Sequence, residues 1–226
     1  MFQTMVYQLD KRNAFPHPRL ANEDGLLAVG GDLSTERLLL AYEHGIFPWY
    51  DEASPILWYA PKVRFVLQPN ELKISKSMRQ FIRSTTLINT HDKAFVSVIE
   101  NCAQIRRSEE QGTWITDQMQ QAYNRLHELG FAHSFETYDQ IGNLVGGLYG
   151  VQVGNVFCGE SMFSKTSNAS KLALIYLCQN FSFTLIDCQI YSGHLASLGA
   201  KEIDGALFYN ELKKQTFSPN ELAQTL

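Results

Sequence analysis

The sequence predicts an α+β fold, and three observations carry that reading. Helical periodicity dominates residues 75–129. A meander of alternating strands joined by tight turns begins at Ala132. One more helix and one more strand follow it, so helices and strands are segregated rather than interleaved as regular βαβ units. The 226 residues admit one large domain, or a principal domain with a smaller partner. A soft boundary falls near residue 62, dividing a small N-terminal domain (1–62) from a larger one (63–226).

Residues 10–33 are rich in turns: Phe15-Pro16-His17-Pro18, Glu23-Asp24-Gly25 and Gly30-Gly31-Asp32. Residues 34–44 read as a helix, with Ser34 as cap, Leu38, Leu39 and Tyr42 as apolar stripe, and Gly45 as stop. An aromatic loop runs from Ile46-Phe47-Pro48-Trp49-Tyr50 to Trp58-Tyr59. Val63–Leu67 is a strand and residues 75–84 a short helix. Residues 92–107 form a helix capped by Asp92, with Phe95, Val98, Ile99 and Cys102 inward. Residues 116–129 form another, capped by Thr116, striped by Met119, Tyr123 and Leu126, and stopped by Gly130.

The meander comprises Ala132–Tyr138, Leu144–Val153 and a strand from Val156 to Cys158, with turns at Gly142-Asn143 and Gly154-Asn155. Asn168 caps a helix to Asn180, with Leu174, Leu177 and Cys178 on its apolar side. Leu185–Ile190 reads as a further, central strand. Ser218-Pro219-Asn220-Glu221 fits a capping box with proline at the first helical position, which predicts a short C-terminal helix.

Composition narrows the function classes. Hydrophobic residues make up 45% and charged residues 19%, which suits a folded globular chain. A net charge of −4 provides no global basic field, so nucleic-acid contact requires a local patch. Cys102, Cys158, Cys178 and Cys188 form no C-x-x-C pair and lie in apolar stretches, as expected of buried thiols in a reducing compartment. His127, Glu128 and His133 lack the spacing of a helical zinc site, so neither metal nor cofactor is expected. No signal peptide or membrane span is read, and the cytoplasm is the expected compartment.

Four features can carry chemistry. Gly159-Glu160-Ser161-Met162-Phe163-Ser164 reads as a loop after a strand. Glu160 is there either an acid paired with a nearby Lys or Arg, or a cleft carboxylate that recognises a cation or takes a proton. In Ile186-Asp187-Cys188-Gln189-Ile190, strand alternation places Asp187 and Gln189 on one side. They are either a hydrogen-bonded structural pair or an acceptor pair facing a substrate. Lys76, Arg79 and Arg83 share one helix face opposite Met78, Phe81 and Ile82. That face is a solvated helix back or a phosphate-binding strip. Trp49, Trp58 and Trp114 lie in or beside loops, as core packing or as platforms for an unpaired base, worth ~1–3 kcal/mol each. Gly30-Gly31-Asp32 is no P-loop, since no Gly-Lys-Ser/Thr follows.

Together these residues resemble the leucyl/phenylalanyl-tRNA–protein transferase family. The resemblance covers residues 13–203 and rests on NEDGLLAVGGD (22–32), GIFPW (45–49), GTWIT (112–116), FCGESMFS (157–164), NASK (168–171), LIDCQ (185–189) and ASLGA (196–200), all in order. It implies an acetyltransferase-like (GNAT-like) C-terminal domain. It also implies transfer of Leu or Phe, and less readily Met, from aminoacyl-tRNA to proteins with N-terminal Arg or Lys, marking them for N-end rule degradation. Asp187 and Gln189 would be the catalytic pair, and Glu160 the acid near the acceptor amine. Trp49 and Trp114 would border the terminal adenosine. Leu148, Phe157, Met162, Leu174 and Leu177 would line the pocket for the transferred side chain. The family often has methionine at position 148 and an aromatic residue at 177, and its Trp-Trp-Ser-Pro stretch reads Trp58-Tyr59-Ala60-Pro61 here. A monomer is expected.

The implied reaction is aminolysis of an ester. Asp187 would orient Gln189, whose oxygen accepts a hydrogen from the attacking amine, while Glu160 favours the cationic terminus and helps remove the proton. Two other functions fit parts of the sequence. An acyl-CoA N-acetyltransferase would want a glycine-rich turn before its pyrophosphate-binding helix, and Ser164-Lys165-Thr166-Ser167-Asn168-Ala169 has none. A non-catalytic adaptor for basic N-termini would use Glu160 and Asp187 without acyl transfer.

Overall fold

The computed structural model describes residues 6–108 and 115–214, with the side chains of 105–108 outside the description. Trp114 and the 218–221 capping box therefore lie outside the described residues. Two sheets organise the described residues. The first joins β1 (Tyr7–Leu9), β2 (Leu26–Gly30), β4 (Leu57–Tyr59) and β3 (Phe47–Pro48) in that spatial order. Between β2 and β3 runs α1 (Thr35–Glu43), which ends at Gly45, where φ is +68°. Trp58 is wholly buried and donates its indole N–H to the Gly30 carbonyl at 2.8 Å, so it is a core residue and not a base platform.

The second sheet has seven strands. In spatial order they are β11 (Lys201–Asp204), β5 (Val63–Leu67), β10 (Leu185–Asp187), β9 (Val156–Ser164), β8 (Leu144–Val153), β7 (Ala132–Tyr138) and β6 (Ile88–His91). Within this sheet, among the described residues, only β9 and β10 pair in parallel; the other neighbours are antiparallel. The helices α3 (Phe95–Ser108) and α4 (Asp117–Glu128) cover one face. The helix α5 (Ala169–Asn180) covers the other, and α2 (Lys76–Ser84) packs on α5 through Met78, Leu172 and Ile175. The short α6 (Gly193–Ser197) follows β10, and α7 (Gly205–Leu212) follows β11. The fold is thus mixed α+β. The expected division at residue 62 falls between the two sheets, yet one hydrophobic core runs through both, joining Leu38, Tyr42 and Trp58 to Val98, Tyr123 and Tyr149.

Local chemistry explains most elements. Ser75 and Thr116 cap α2 and α4 by accepting the Met78 and Met119 N–H groups at 3.1 and 3.2 Å. Asp92 does not cap α3, which starts at Phe95. It sits at φ +52° and spends its carboxylate on the His133 ring and the Ser134 N–H, while Glu136 takes the Lys93 and Ala94 N–H groups just before the helix. Asn168 precedes α5 in the left-handed region, at φ +66°, without a side-chain cap. On α2, Met78 is buried and Phe81 half-buried, but Ile82 is exposed, so the apolar face is narrower than expected. No helix among the described residues is long and apolar enough to cross a membrane.

Candidate active site

The site is created where two strands differ from their expected bounds. The strand β9 does not stop at Cys158 but continues to Ser164. Gly150 pairs with Gly159 and Tyr149 with Ser161, which leaves Glu160 as the extra residue of a β-bulge. A bulge turns a side chain off the regular alternation, and here it drives Glu160 into the core. The strand β10 stops at Asp187, not Ile190. Gln189 then adopts φ +64° and the Ile190 N–H bonds to the Cys188 carbonyl at 2.8 Å, the pattern of a tight three-residue turn. Strand alternation is therefore not what brings Asp187 and Gln189 together.

Gln189 donates its side-chain amide to Glu160 Oε1 at 2.7 Å. Tyr42 donates to the same oxygen at 2.7 Å and Tyr123 to Oε2 at 3.2 Å. The two phenol groups also touch each other. Burial pushes the Glu160 carboxyl up from an ordinary 4.5 to about 7; the tyrosine hydrogen bonds hold it back, the Asp187 charge adds to the rise, and the Gln189 bond opposes it. Burial, with the Glu160 charge second, raises both tyrosines well above the phenol range, so they remain donors.

Asp187 is wholly buried behind Gln189. Its Oδ1 accepts the Gln189 backbone N–H at 2.9 Å, so it sets the turn through the main chain rather than the side chain. Arg64 grips the same carboxylate from Nε and Nη2 at 2.8 and 2.6 Å. Its third nitrogen donates to the Gly45 carbonyl at 2.9 Å. Its guanidinium lies between the Phe47 and Phe208 rings, 4.8 and 4.6 Å from their centroids. Burial alone would depress the Arg64 value, but Asp187 raises it on balance.

Above this floor opens a cavity of about 390 Å³. Glu160, Asp187 and Gln189 contribute to its lining, with Leu148, Phe157, Met162 and Leu174 as its apolar wall. Trp49, 40% exposed, forms part of the lining and packs against Tyr59 at 5.6 Å. Leu177 differs from the expectation: it is wholly buried in the same cluster but does not line the cavity. Cys188 lines it, and burial, followed by the Asp187 charge, raises its thiol well above the ordinary range. Lys76, Arg79 and Arg83 are exposed along α2 and none lines the cavity.

Sequence reasoning missed Arg64, Tyr42 and Tyr123. A lone arginine in a strand reads as an outward side chain, and the two tyrosines read as members of apolar stripes. The available signal was the phenol itself, since a buried tyrosine hydroxyl requires a partner.

Known proteins resemble the chain over most of its length. A family model described as leucyl/phenylalanyl-tRNA protein transferase matches residues 66–213, and the model of that family's N-terminal domain matches residues 31–62. This chain belongs to the leucyl/phenylalanyl-tRNA–protein transferase family. A member from Syntrophus aciditrophicus is 55% identical over 217 residues, covering 95% of this chain and 90% of that one. Members from Flavobacterium johnsoniae and Yersinia enterocolitica are 51% and 52% identical, covering 93% and 95% of this chain and 100% and 92% of theirs. Solved structures that resemble the chain include a GCN5-related N-acetyltransferase from Kribbella flavida, at TM-score 0.36 and 11% identity over 71% of this chain and 57% of that one. Membership makes the chain an aminoacyltransferase with an aminoacyl-tRNA donor and a protein acceptor.

Proposed function

We propose that the chain transfers Leu or Phe, and less readily Met, to the α-amino group of proteins with N-terminal Arg or Lys, marking them for N-end rule degradation, as a monomer in the cytoplasm. The observation that carries this reading is the 2.7 Å contact between Gln189 and Glu160 on the floor of an apolar cavity. It joins an amide to a carboxyl held near neutrality beside a pocket for an uncharged side chain.

The donor side chain occupies the wall of Leu148, Phe157, Met162 and Leu174, backed by Leu177. One methylene in such a pocket is worth only ~1–3 kcal/mol, so Leu, Phe and Met all enter. The small N-terminal domain, residues 1–62, supplies Trp49, which borders the terminal adenosine together with Trp114. Lys76, Arg79 and Arg83 bind tRNA phosphates away from the reacting atoms.

The acceptor amine forms the new C–N bond at the ester carbonyl, the bond to the ribose oxygen breaks, and that oxygen leaves as the tRNA's terminal hydroxyl with the second proton that the amine gives up. The α-ammonium has a reference pKa of about 7.7–8.0. A carboxyl near 7 therefore takes its proton at little cost, which suits Glu160 as base. Because the Gln189 amide nitrogen is committed to Glu160, its oxygen is the end that faces an amine hydrogen. Asp187 is a positioning residue that fixes the Gln189 turn. Holding amine and ester together supplies most of the acceleration, since effective molarities reach ~10⁵ M or more.

The deciding experiment is the mass of an Arg-starting peptide after incubation with Leu-tRNA and the protein. A gain of one leucyl residue is expected, with none for an Ala-starting peptide. An unchanged mass with Arg overturns the proposal.

A further inference from the structure

Between β9 and β10 the large sheet splits. The two strands pair only from Val156↔Leu185 to Cys158↔Asp187. Beyond that point β9 continues to Ser164, whereas the other chain turns away at Gln189 into α6. The cavity occupies this fork, with Gly159–Met162 on one side and Ile186–Ser192 on the other.

The register tells which backbone groups face the fork. The Lys165 N–H bonds to the Val145 carbonyl at 2.7 Å, so that pair is a hydrogen-bonded one. Phe163↔Gly147 and Ser161↔Tyr149 lie two and four residues further along the same ladder. Antiparallel alternation makes them hydrogen-bonded pairs too, and turns the N–H and C=O of Met162 and Ser164 away from β8. Among the described residues no strand is registered against them on that side. An open strand edge inside a cavity is a template for an added strand.

We propose that the acceptor protein's N-terminal segment binds in this fork as an extra strand on β9. The inference rests on the reading of the cavity as the aminoacyl-transfer site. The acceptor is the occupant because it alone brings consecutive peptide groups; the donor ester has a single acyl carbonyl and no peptide N–H. Charge agrees with this direction. Glu160 stands at the closed end of the fork, two residues before Met162, and draws the cationic terminus there. The following residues then run out along the edge toward Ser164. Pairing through the main chain holds acceptors whose sequences differ after the first residue.

A strand offers its N–H to one neighbour at every second residue only, and this yields a test on the unaltered enzyme. Arg-starting peptides carry a single amide-to-ester replacement at residue 2 or at residue 3, which removes one N–H and preserves shape. The parent peptide is run first: its failure to be leucylated rejects the transfer reading itself. With an active parent, replacement at one of the two positions raises the acceptor KM about three- to tenfold, the size of one lost hydrogen bond. Replacement at the other position leaves KM within about twofold of the parent, below that hydrogen-bond effect. The KM for Leu-tRNA is unchanged in both. Equal effects at both positions, or none at either, overturn the added strand, as does a rise in the donor's KM alone, which would place the donor on that edge.

Discussion

Arg64 and Asp187 are both buried and meet through two hydrogen bonds, at 2.8 and 2.6 Å, beneath the turn that carries Gln189. The pair has a structural duty and a positional one, and substitutions separate them. Arg64→Met leaves a bare carboxylate in the core and is expected to cost about 3–5 kcal/mol in urea unfolding. Arg64→Met with Asp187→Leu removes both charges and is expected to recover most of that loss. Turnover stays low in the double variant, because the Gln189 N–H has lost its acceptor, while tRNA affinity changes little. Normal kcat in the double variant would remove the carboxylate from the mechanism.

Glu160 makes both activity and stability depend on pH. Its folded value, about 7, lies above the ordinary 4.5, so between these the folded protein holds the proton more tightly than the unfolded chain does. Stability is therefore lost as pH rises through that window and is fully present only below it. Glu160→Gln should flatten this slope and make the protein more stable at pH 8, by up to about 3 kcal/mol. The same variant should lose the limb near pH 7 in kcat/KM. Thermal melts and rate profiles across pH 5–9 check the two effects separately.

How far the site was legible follows from the same residues. The strands Ala132–Tyr138 and Leu144–Val153 and the Gly154-Asn155 hairpin match the expectation, because alternation and turn chemistry are local. Glu160 looked like a loop residue because Gly159 and a polar run follow three strand residues; the bulge exists only through its partner strand. Gln189 looked like a strand residue because its positive φ is imposed by Asp187 below it, not by its own preference. Arg64 was hidden for the same reason, since its partners lie 19 and 123 residues away. The residues carried over from the family did gather at one cavity, except Leu177 behind it and Trp114 outside the described residues.

Gly150, opposite the bulge, has no room for a side chain. A Cβ there would lie 2.2 Å from the Cys158 carbonyl oxygen and 2.7 Å from Phe157 Cζ. Gly150→Ala is expected to destabilise by about 3 kcal/mol and to shift the bulge. At a temperature where the variant remains folded, kcat should still fall, because Glu160 leaves its place against Gln189. A folded variant with normal kcat would show that the bulge need not be exact.

The α2 stripe predicts salt sensitivity. Each phosphate contact contributes roughly 0.7–0.9 to the slope of log affinity against log salt. Changing Lys76, Arg79 and Arg83 together to Ala should reduce that slope by about 2 for Leu-tRNA. It should leave kcat at saturating donor nearly unchanged, since none of the three reaches the cavity. An unaltered slope reduces the stripe to ordinary surface.

The ring of Phe208, which flanks Arg64, belongs to α7, the last helix described. The surroundings of Arg64 are therefore completed only when residues near the end of the described fold are in place. Until the polypeptide has been elongated past that helix, the guanidinium lacks one of its two aromatic walls.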